Sequence, residues 1–460
     1  MSFSSRFERL FRSVLPSPFA LAGALTFLVL TTAIFAFIPE GENLTGHSAN
    51  TLQNWYRGLW SPPMLVFAFQ MMLILVLGHV LALSEPAERI MAYLTSVANT
   101  TASAAAVVCL ACVTLGLINW GLGLIFGAIF ARKIAERATV LDKPINYPLI
   151  AAAGYTGMMV WHGGLSGSAL IKAAEPGHIH SLMESTALLE SGVLPAEIGL
   201  ADTLFAPMNI AVCIAVLIVL PSLGYALGRR SKGKPVQVDK LNLAPILEAP
   251  QGLAEKTDSH PLPVFLLGGL CLGTAAIIAF GNVGDHSFAG PDYINLIFLG
   301  LGLIAHGSLQ KFGAALDAAV VGTSGILIQF PLYFGIMAVM KSSGMGAAIS
   351  DFFVHISSPG TYQVFAFFSA GFVNILVPSG GGQWMVQGPI IIEASHKMGL
   401  SLSQSILAMA YGDQITNMLQ PFWALPLLGI TGLKARDILP YTVYFMLAGT
   451  VIFIAALLIF

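Results

Sequence analysis

Thr100 to Ala131 reads TTASAAAVVCLACVTLGLINWGLGLIFGAIFA and contains no Asp, Glu, Lys or Arg. A helix crosses the bilayer core with about 20 apolar residues. This run is too long for one plain span and short for two. Asn119-Trp120-Gly121-Leu122-Gly123 interrupts it near the middle. It therefore predicts two short helices meeting at a glycine-bearing tip, a re-entrant hairpin over about 100–137. Thr361 to Ile392 has the same character: no charge, and a break at Pro378-Ser379-Gly380-Gly381-Gly382. It predicts a second hairpin over about 361–397.

Composition agrees with a chain that lives in lipid. Of 460 residues, 56% are hydrophobic and only 10% charged, against about 25% charged in soluble domains. A soluble enzyme, a nucleic-acid binder and a disordered protein are excluded on that ground. The formal net charge of -2 offers nothing to a polyanion. Long unbroken apolar runs, not alternating ones, point away from a β-barrel. Four cysteines do not make a disulfide framework. Cys109 and Cys112 form a C-x-x-C inside an apolar run and read as small packing residues.

The fold class expected is all-α: a polytopic membrane protein with about nine spanning helices plus two re-entrant hairpins. The spans are Phe19–Ile38, Ser61–Leu83, Tyr147–Leu170, Thr203–Gly228, Pro263–Phe280, Tyr293–Ala305, one within Ala318–Met340, Ser403–Leu433 and Ile438–Phe460. Glu85 to Ala98 is short and amphipathic and suits the membrane interface. No small-residue cleavage site precedes Pro39-Glu40, so the first apolar run reads as a span. Basic residues favour the cytoplasmic side. Arg6/Arg9/Arg12, Arg132/Lys133/Arg137, Arg229/Arg230/Lys232/Lys234, Lys311 and Lys434/Arg436 are all inside at once only if each hairpin enters and leaves on one side, the first inside and the second outside. The N-terminus is then cytoplasmic.

The two halves also resemble each other. With a shift of 258 positions Gly121 falls on Ser379, Gly123 on Gly381, Phe126 on Trp384 and Gly154 on Gly412. The order of hairpin, loop, broken span and last span recurs. The expected organisation is a first inverted repeat at 1–230, with its broken helix at about 147–170. A cytoplasmic linker at 231–261 follows. A connecting helix and second repeat occupy 262–460, with a broken helix at about 403–433. Inverted repeats with paired broken helices are the pattern of secondary transporters, with the site where the breaks meet.

Asp413 is the acidic residue inside a long apolar span. A carboxylate at that depth is costly unless paired, hydrated or protonated. It lies in Gly412-Asp413-Gln414-Ile415-Thr416-Asn417, followed by Gln420-Pro421. Gly412, Asp413, Thr416 and Asn417 offer oxygens to a small cation such as Na⁺, or Asp413 carries a proton; a plain helix-break cap is the structural alternative. Ser379, Gly380, Gly381, Gly382 and Gln383 form a tip whose helix N-terminus presents free N–H groups, suited to a carboxylate. Close helix packing is the alternative for such small residues. Asn119, Gly121 and Gly123 are the counterpart in the first half. His162, beside Gly163, Gly164, Ser166 and Ser168, sits where the first broken span opens and is a candidate substrate contact. His79 and His306 lie near span ends. No Arg or Lys lies within the spans flanking these tips, which favours a small monoanion over a dicarboxylate or phosphate.

Three motifs are set aside. Gly228 to Lys234 resembles a P-loop, but Pro235 replaces the Ser/Thr that would hold Mg²⁺. Gly164-Leu165-Ser166-Gly167 resembles an intramembrane serine protease site, but its best histidine partner, His306, lacks the surrounding small-residue pattern. H-E-x-x-H does not occur.

VPSGGGQWMVQ at Val377–Gln387, with GDQITNMLQ at Gly412–Gln420, resembles the short-chain fatty acid transporter family, and the similarity extends over nearly the whole chain. That family belongs to the ion transporter superfamily, which also holds divalent anion/sodium symporters. The resemblance implies a homodimer, scaffold and transport domains, elevator-type movement and substrates such as acetoacetate and butyrate. Superfamily members carry Ser-Asn-Thr motifs at both tips. Here Asn119-Trp120-Gly121 and Ser379-Gly380-Gly381 stand instead. Ser379 is carried over as a tip hydroxyl, and Gly412, Asp413, Thr416 and Asn417 match the broken-helix element. The expected function is a non-enzymatic, inner-membrane secondary transporter of short-chain monocarboxylates, driven by Na⁺ or H⁺ and needing no cofactor beyond a coupling ion. Its partners are substrate, lipid and a second copy, not nucleic acid. The rivals are a cation/proton antiporter using Asp413 and an intramembrane serine hydrolase using Ser166.

Overall fold

A computed structural model describes residues 18–183, 187–190, 192–238, 252–282 and 291–460. The basic start at Arg6, Arg9 and Arg12 and linker positions 239–251 lie outside these residues. Among the described residues the regular elements are helical, and Ile145 and Lys234 form an isolated two-residue bridge. Phe19–Ala36, Leu44–Leu81, Thr101–Ile118, Pro207–Arg230, Pro261–Gly281 and Ala435–Ile459 are long and apolar enough to cross a membrane. Ile326–Ser342 with Met345–His355, bent by 71°, adds a seventh if the pair acts as one span. Several of the nine expected spans are stretches that the fold divides into pieces too short to cross alone.

Those divisions have local causes. Asn119 is extended (φ -153°, ψ 127°), ends the Thr101–Ile118 helix and starts Trp120–Val140 by accepting from the Leu122 N–H at 3.1 Å. Ser379 does the same between Tyr362–Leu376 and Gly380–Lys397, accepting from the Gly382 N–H at 3.2 Å. Asn and Ser are strong N-caps, and Pro378 ahead of Ser379 cannot continue a helix. The first broken stretch has a helix at Tyr147–Ala153, tight turns at Thr156–Met159 and Trp161–Gly163, and a short helix at Ser168–Ala173. The second has Leu402–Thr416, a turn at Asn417–Leu419 and Pro421–Thr431.

The hairpins open at opposite ends of the terminal Ala435–Ile459 helix. Asn146, just past the first hairpin, takes its backbone N–H to Thr101 Oγ1 at 3.0 Å and its side chain to the Tyr441 hydroxyl at 2.8 Å, near that helix's start. Gln363, at the base of the second, donates to Gln404 Oε1 at 2.9 Å, and Gln404 donates to the Phe460 carbonyl at the helix's end. The 25-residue helix is about 37 Å long at 1.5 Å per residue. Three basic segments share the first end. The Ile145–Lys234 bridge joins the hairpin loop to the linker, and Arg132 donates to the Ile430 carbonyl, close to Lys434 and Arg436. On the periphery, Pro261–Gly281 exposes Leu262, Phe265, Leu266, Leu270, Ile277 and Phe280, the surface of a helix made for lipid.

A buried site where the second tip meets both broken stretches

Asp413 is fully buried near the end of Leu402–Thr416, and among the described residues no donor hydrogen-bonds either carboxylate oxygen. His162 Nδ1 lies 3.5 Å from Oδ2. His162 is also fully buried, and its Nε2 accepts the Ala169 backbone N–H at 2.8 Å. An accepting Nε2 carries the lone pair, so the ring proton sits on Nδ1, toward Asp413. The tight turn that holds His162 is tied to the second half. Gln414 Oε1 accepts from the N–H groups of His162 (2.9 Å) and Gly163 (3.3 Å), and Asn209 links the Gly163 carbonyl to the Tyr411 hydroxyl.

Around the corner from the carboxylate lies an amide cluster. Asn374 Nδ2, in the first arm of the second hairpin, reaches the Asp413 carbonyl (2.7 Å), Thr416 Oγ1 (2.9 Å) and Asn417 Oδ1 (3.0 Å). Two N–H groups therefore serve three acceptors, and Asn374 Oδ1 has no donor among the described residues. Gln420 donates to the Asn374 carbonyl, and Tyr155 donates to the carbonyls of Asn417 and Gln420. Asn374 carries no sequence signal beyond being an amide in an apolar run. Its importance comes from what the fold brings to it.

The three glycines of the second tip face three different neighbours. A Cβ on Gly380 would lie 2.6 Å from Trp161 Cη2 and 3.1 Å from His162 Cε1. One on Gly381 would have only Ser168 nearby, at 3.9 Å. One on Gly382 would lie 3.1 Å from Met337 Cε. None of the three has a positive φ. Close approach, at Gly380, is what requires glycine here. Trp161 stacks on His162 with centroids 4.6 Å apart, and its buried indole N–H has no acceptor among the described residues. The indole edge nearest Gly380 includes Cζ2, next to that N–H. Gln383 donates to the Ala370 carbonyl and to Gln387 Oε1, bracing the tip from behind.

The first tip reaches this centre through Trp120, whose ring is 6.4 Å from that of Trp161. Asn119 caps its own helix, Gly121 faces Ile74, and a Cβ on Gly123 would collide with the Gly116 backbone at 2.8 Å. Gly412 packs as closely: a Cβ there would lie 2.0 Å from the Phe367 carbonyl oxygen. Ser166 accepts the Trp120 N–H at 3.0 Å, while His306 bonds the Val80 carbonyl, so the two do not form a hydrolytic pair. Cys109 and Cys112 are buried free thiols, the first accepting from Thr156 at 3.3 Å.

A family model described as "Short chain fatty acid transporter" matches residues 2–460. A protein of Escherichia coli (strain K12) named "Putative short-chain fatty acid transporter" is 35% identical over 458 residues, covering 97% of this chain and 96% of its own. A Haemophilus influenzae protein of the same name is 35% identical over 461 residues, covering 98% of each chain. Among solved structures, the YdaH transporter of Alcanivorax borkumensis aligns over 95% of this chain and 98% of its own, at 15% identity and a TM-score of 0.40. MtrF of Neisseria gonorrhoeae, described as one of a class of antimetabolite efflux pumps, covers 97% of each chain at 13% identity and a TM-score of 0.36. By its full-length family match and its relatives, this non-enzymatic integral membrane protein belongs to the short-chain fatty acid transporter family.

Proposed function

We propose that the chain is a secondary transporter of short aliphatic monocarboxylates, of the acetoacetate and butyrate type, driven by a cation gradient across the bacterial inner membrane. The observation that carries this is the helix N-terminus at Gly380 lying against Trp161 and His162 Cε1, with the Asp413 carboxylate 3.5 Å from the neighbouring Nδ1 of the same ring. The N–H groups of Gly380 and Gly381, the dipole of an 18-residue helix and the Trp161 indole N–H receive the substrate carboxylate. Partial charges of this kind suit a monoanion.

Asp413 is the coupling group. Its charge is tolerable at this depth only with a cation or proton in place. The proton is favoured because Asp413 faces His162 Nδ1 and, among the described residues, no donor hydrogen-bonds its carboxylate oxygens. A second reading, Na⁺, has its own support: the Asp413 carbonyl, Thr416 Oγ1 and Asn417 Oδ1 gather around Asn374 Nδ2, and a shift of that amide would open them, with Asn374 Oδ1, to a cation. That donor set fits a small hard cation. His162 touches both the tip and Asp413, so occupancy of either biases the other, reciprocally. The hairpins opening at opposite ends of the terminal helix support two inverted repeats. The homodimer, the cytoplasmic N-terminus and the elevator-type movement are part of the same proposal.

Proteoliposomes holding the purified protein test the function. Labelled butyrate or acetoacetate is expected to accumulate when an inward cation gradient is imposed. Cation/proton exchange with no carboxylate uptake would instead establish the antiporter.

A further inference from the structure

A cavity of about 280 Å³ lies beside the second tip. Gly382 forms part of its wall, with Met64, Met337, Met340 and Met385 around it and Lys341 at its margin. Its volume sits near the lower end of the range for ligand pockets, about 300–1,000 Å³. Four methionines in one small cavity are unusual for a packing defect. Unbranched thioether side chains refill irregular space and adapt to guests of different shape. Met337 comes closest to the tip, within contact of Gly382. Lys341 is exposed and has no acidic partner among the described residues, so its charge is free to act on an approaching anion.

We infer that this methionine-lined cavity receives the alkyl tail of the transported carboxylate and sets the chain length accepted, with Lys341 drawing the anion toward it. The inference rests on the function proposed above, with the carboxylate at the Gly380–Gly381 N–H groups. A tail leaving that point along the Gly382 face enters the cavity directly. The Lys341 charge at the margin favours the approach of an anionic guest over that of a neutral lipid. A hydrophobic pocket discriminates about tenfold or more per methylene, so altered cavity volume must change chain-length preference.

The test is the KM for acetate, butyrate and hexanoate in proteoliposomes of the wild type, Met337→Phe and Met337→Ala. Met337→Phe narrows the cavity and is expected to raise the hexanoate-to-acetate KM ratio about tenfold. Met337→Ala widens it and is expected to lower the ratio severalfold, so one variant still reports if the other does not fold. Equal changes for all three acids, in either variant, would show that lipid or simple packing fills the cavity and would overturn the inference. Butyrate uptake by the wild type separates the two levels. If it is absent, the transport reading fails and takes this one with it; if it is present with an unmoved ratio, only the tail site fails.

Discussion

The two hairpins meet their broken partners along similar backbone paths but with different chemistry. In the first, glycines close the gap. A Cβ on Gly116 would lie 2.7 Å from the Gly157 carbonyl oxygen, and one on Gly127 would lie 2.1 Å from that of Gly154. No charged side chain enters that seam among the described residues. In the second, Gly412 keeps one such contact, but Asn374, Asp413, Gln414 and Asn417 fill the rest with amides and a carboxylate. With the shift of 258, Gly116 falls on Asn374 and Tyr155 on Asp413. The first half shows that this path packs without buried charge. The polar groups of the second half are therefore not a requirement of the fold, and function is what remains to explain them.

The largest effect is expected where both halves still use glycine. Gly412→Ala and Gly127→Ala each drive a methyl to within about 2.1 Å of a backbone carbonyl oxygen. Each is expected to destabilise by at least the upper end of the ~1–3 kcal/mol typical of overpacking, read as loss of monodisperse protein in detergent. Normal thermal stability in either variant would mean that the seam is not close-packed. Asn374→Leu comes next. It keeps the volume but leaves three acceptors, two of them buried, without the amide they share, at a cost of about 1–3 kcal/mol for each buried one stranded. A falling melting temperature together with lost uptake is expected; an unchanged melting temperature would remove the amide cluster from the account. The smallest effect on stability belongs to Gly381→Ala, whose methyl meets nothing nearer than 3.9 Å. It is expected to raise the substrate KM severalfold with stability intact, whereas Gly380→Ala, pressed against Trp161, lowers both. Equal loss of stability in the two would make the tip a packing feature.

Much of this architecture was legible in the sequence. The breaks at Asn119 and Pro378-Ser379 are visible because capping residues, proline and glycine interrupt charge-free runs, a local signal. Asp413 is visible because a carboxylate is conspicuous among apolar neighbours. His162 is visible only as a candidate, because a histidine in an apolar run looks the same whether it packs or faces a carboxylate. Asn374, Trp161 and Asn209 are not visible at all. An amide or an indole in a membrane helix carries no local mark, and these acquire meaning from partners between 39 and 202 positions away in sequence, or, for Trp161, across the tip. Conversely, Gly123 and Gly412 look like site residues in the sequence, and the fold presses both against backbone.

Asp413→Asn tests the central claim most directly. The amide matches the carboxylate in shape and removes its charge without opening a cavity. Wild-type and variant proteoliposomes are loaded with butyrate and assayed for exchange of labelled butyrate at equilibrium, then for net accumulation under Na⁺ and pH gradients imposed separately. The account predicts that the wild type accumulates butyrate under the pH gradient, or under the Na⁺ gradient if the oxygens around Asn374 hold the coupling ion. It predicts that Asp413→Asn still exchanges butyrate but accumulates none under either gradient. Wild-type accumulation by a well-folded Asp413→Asn protein would contradict it.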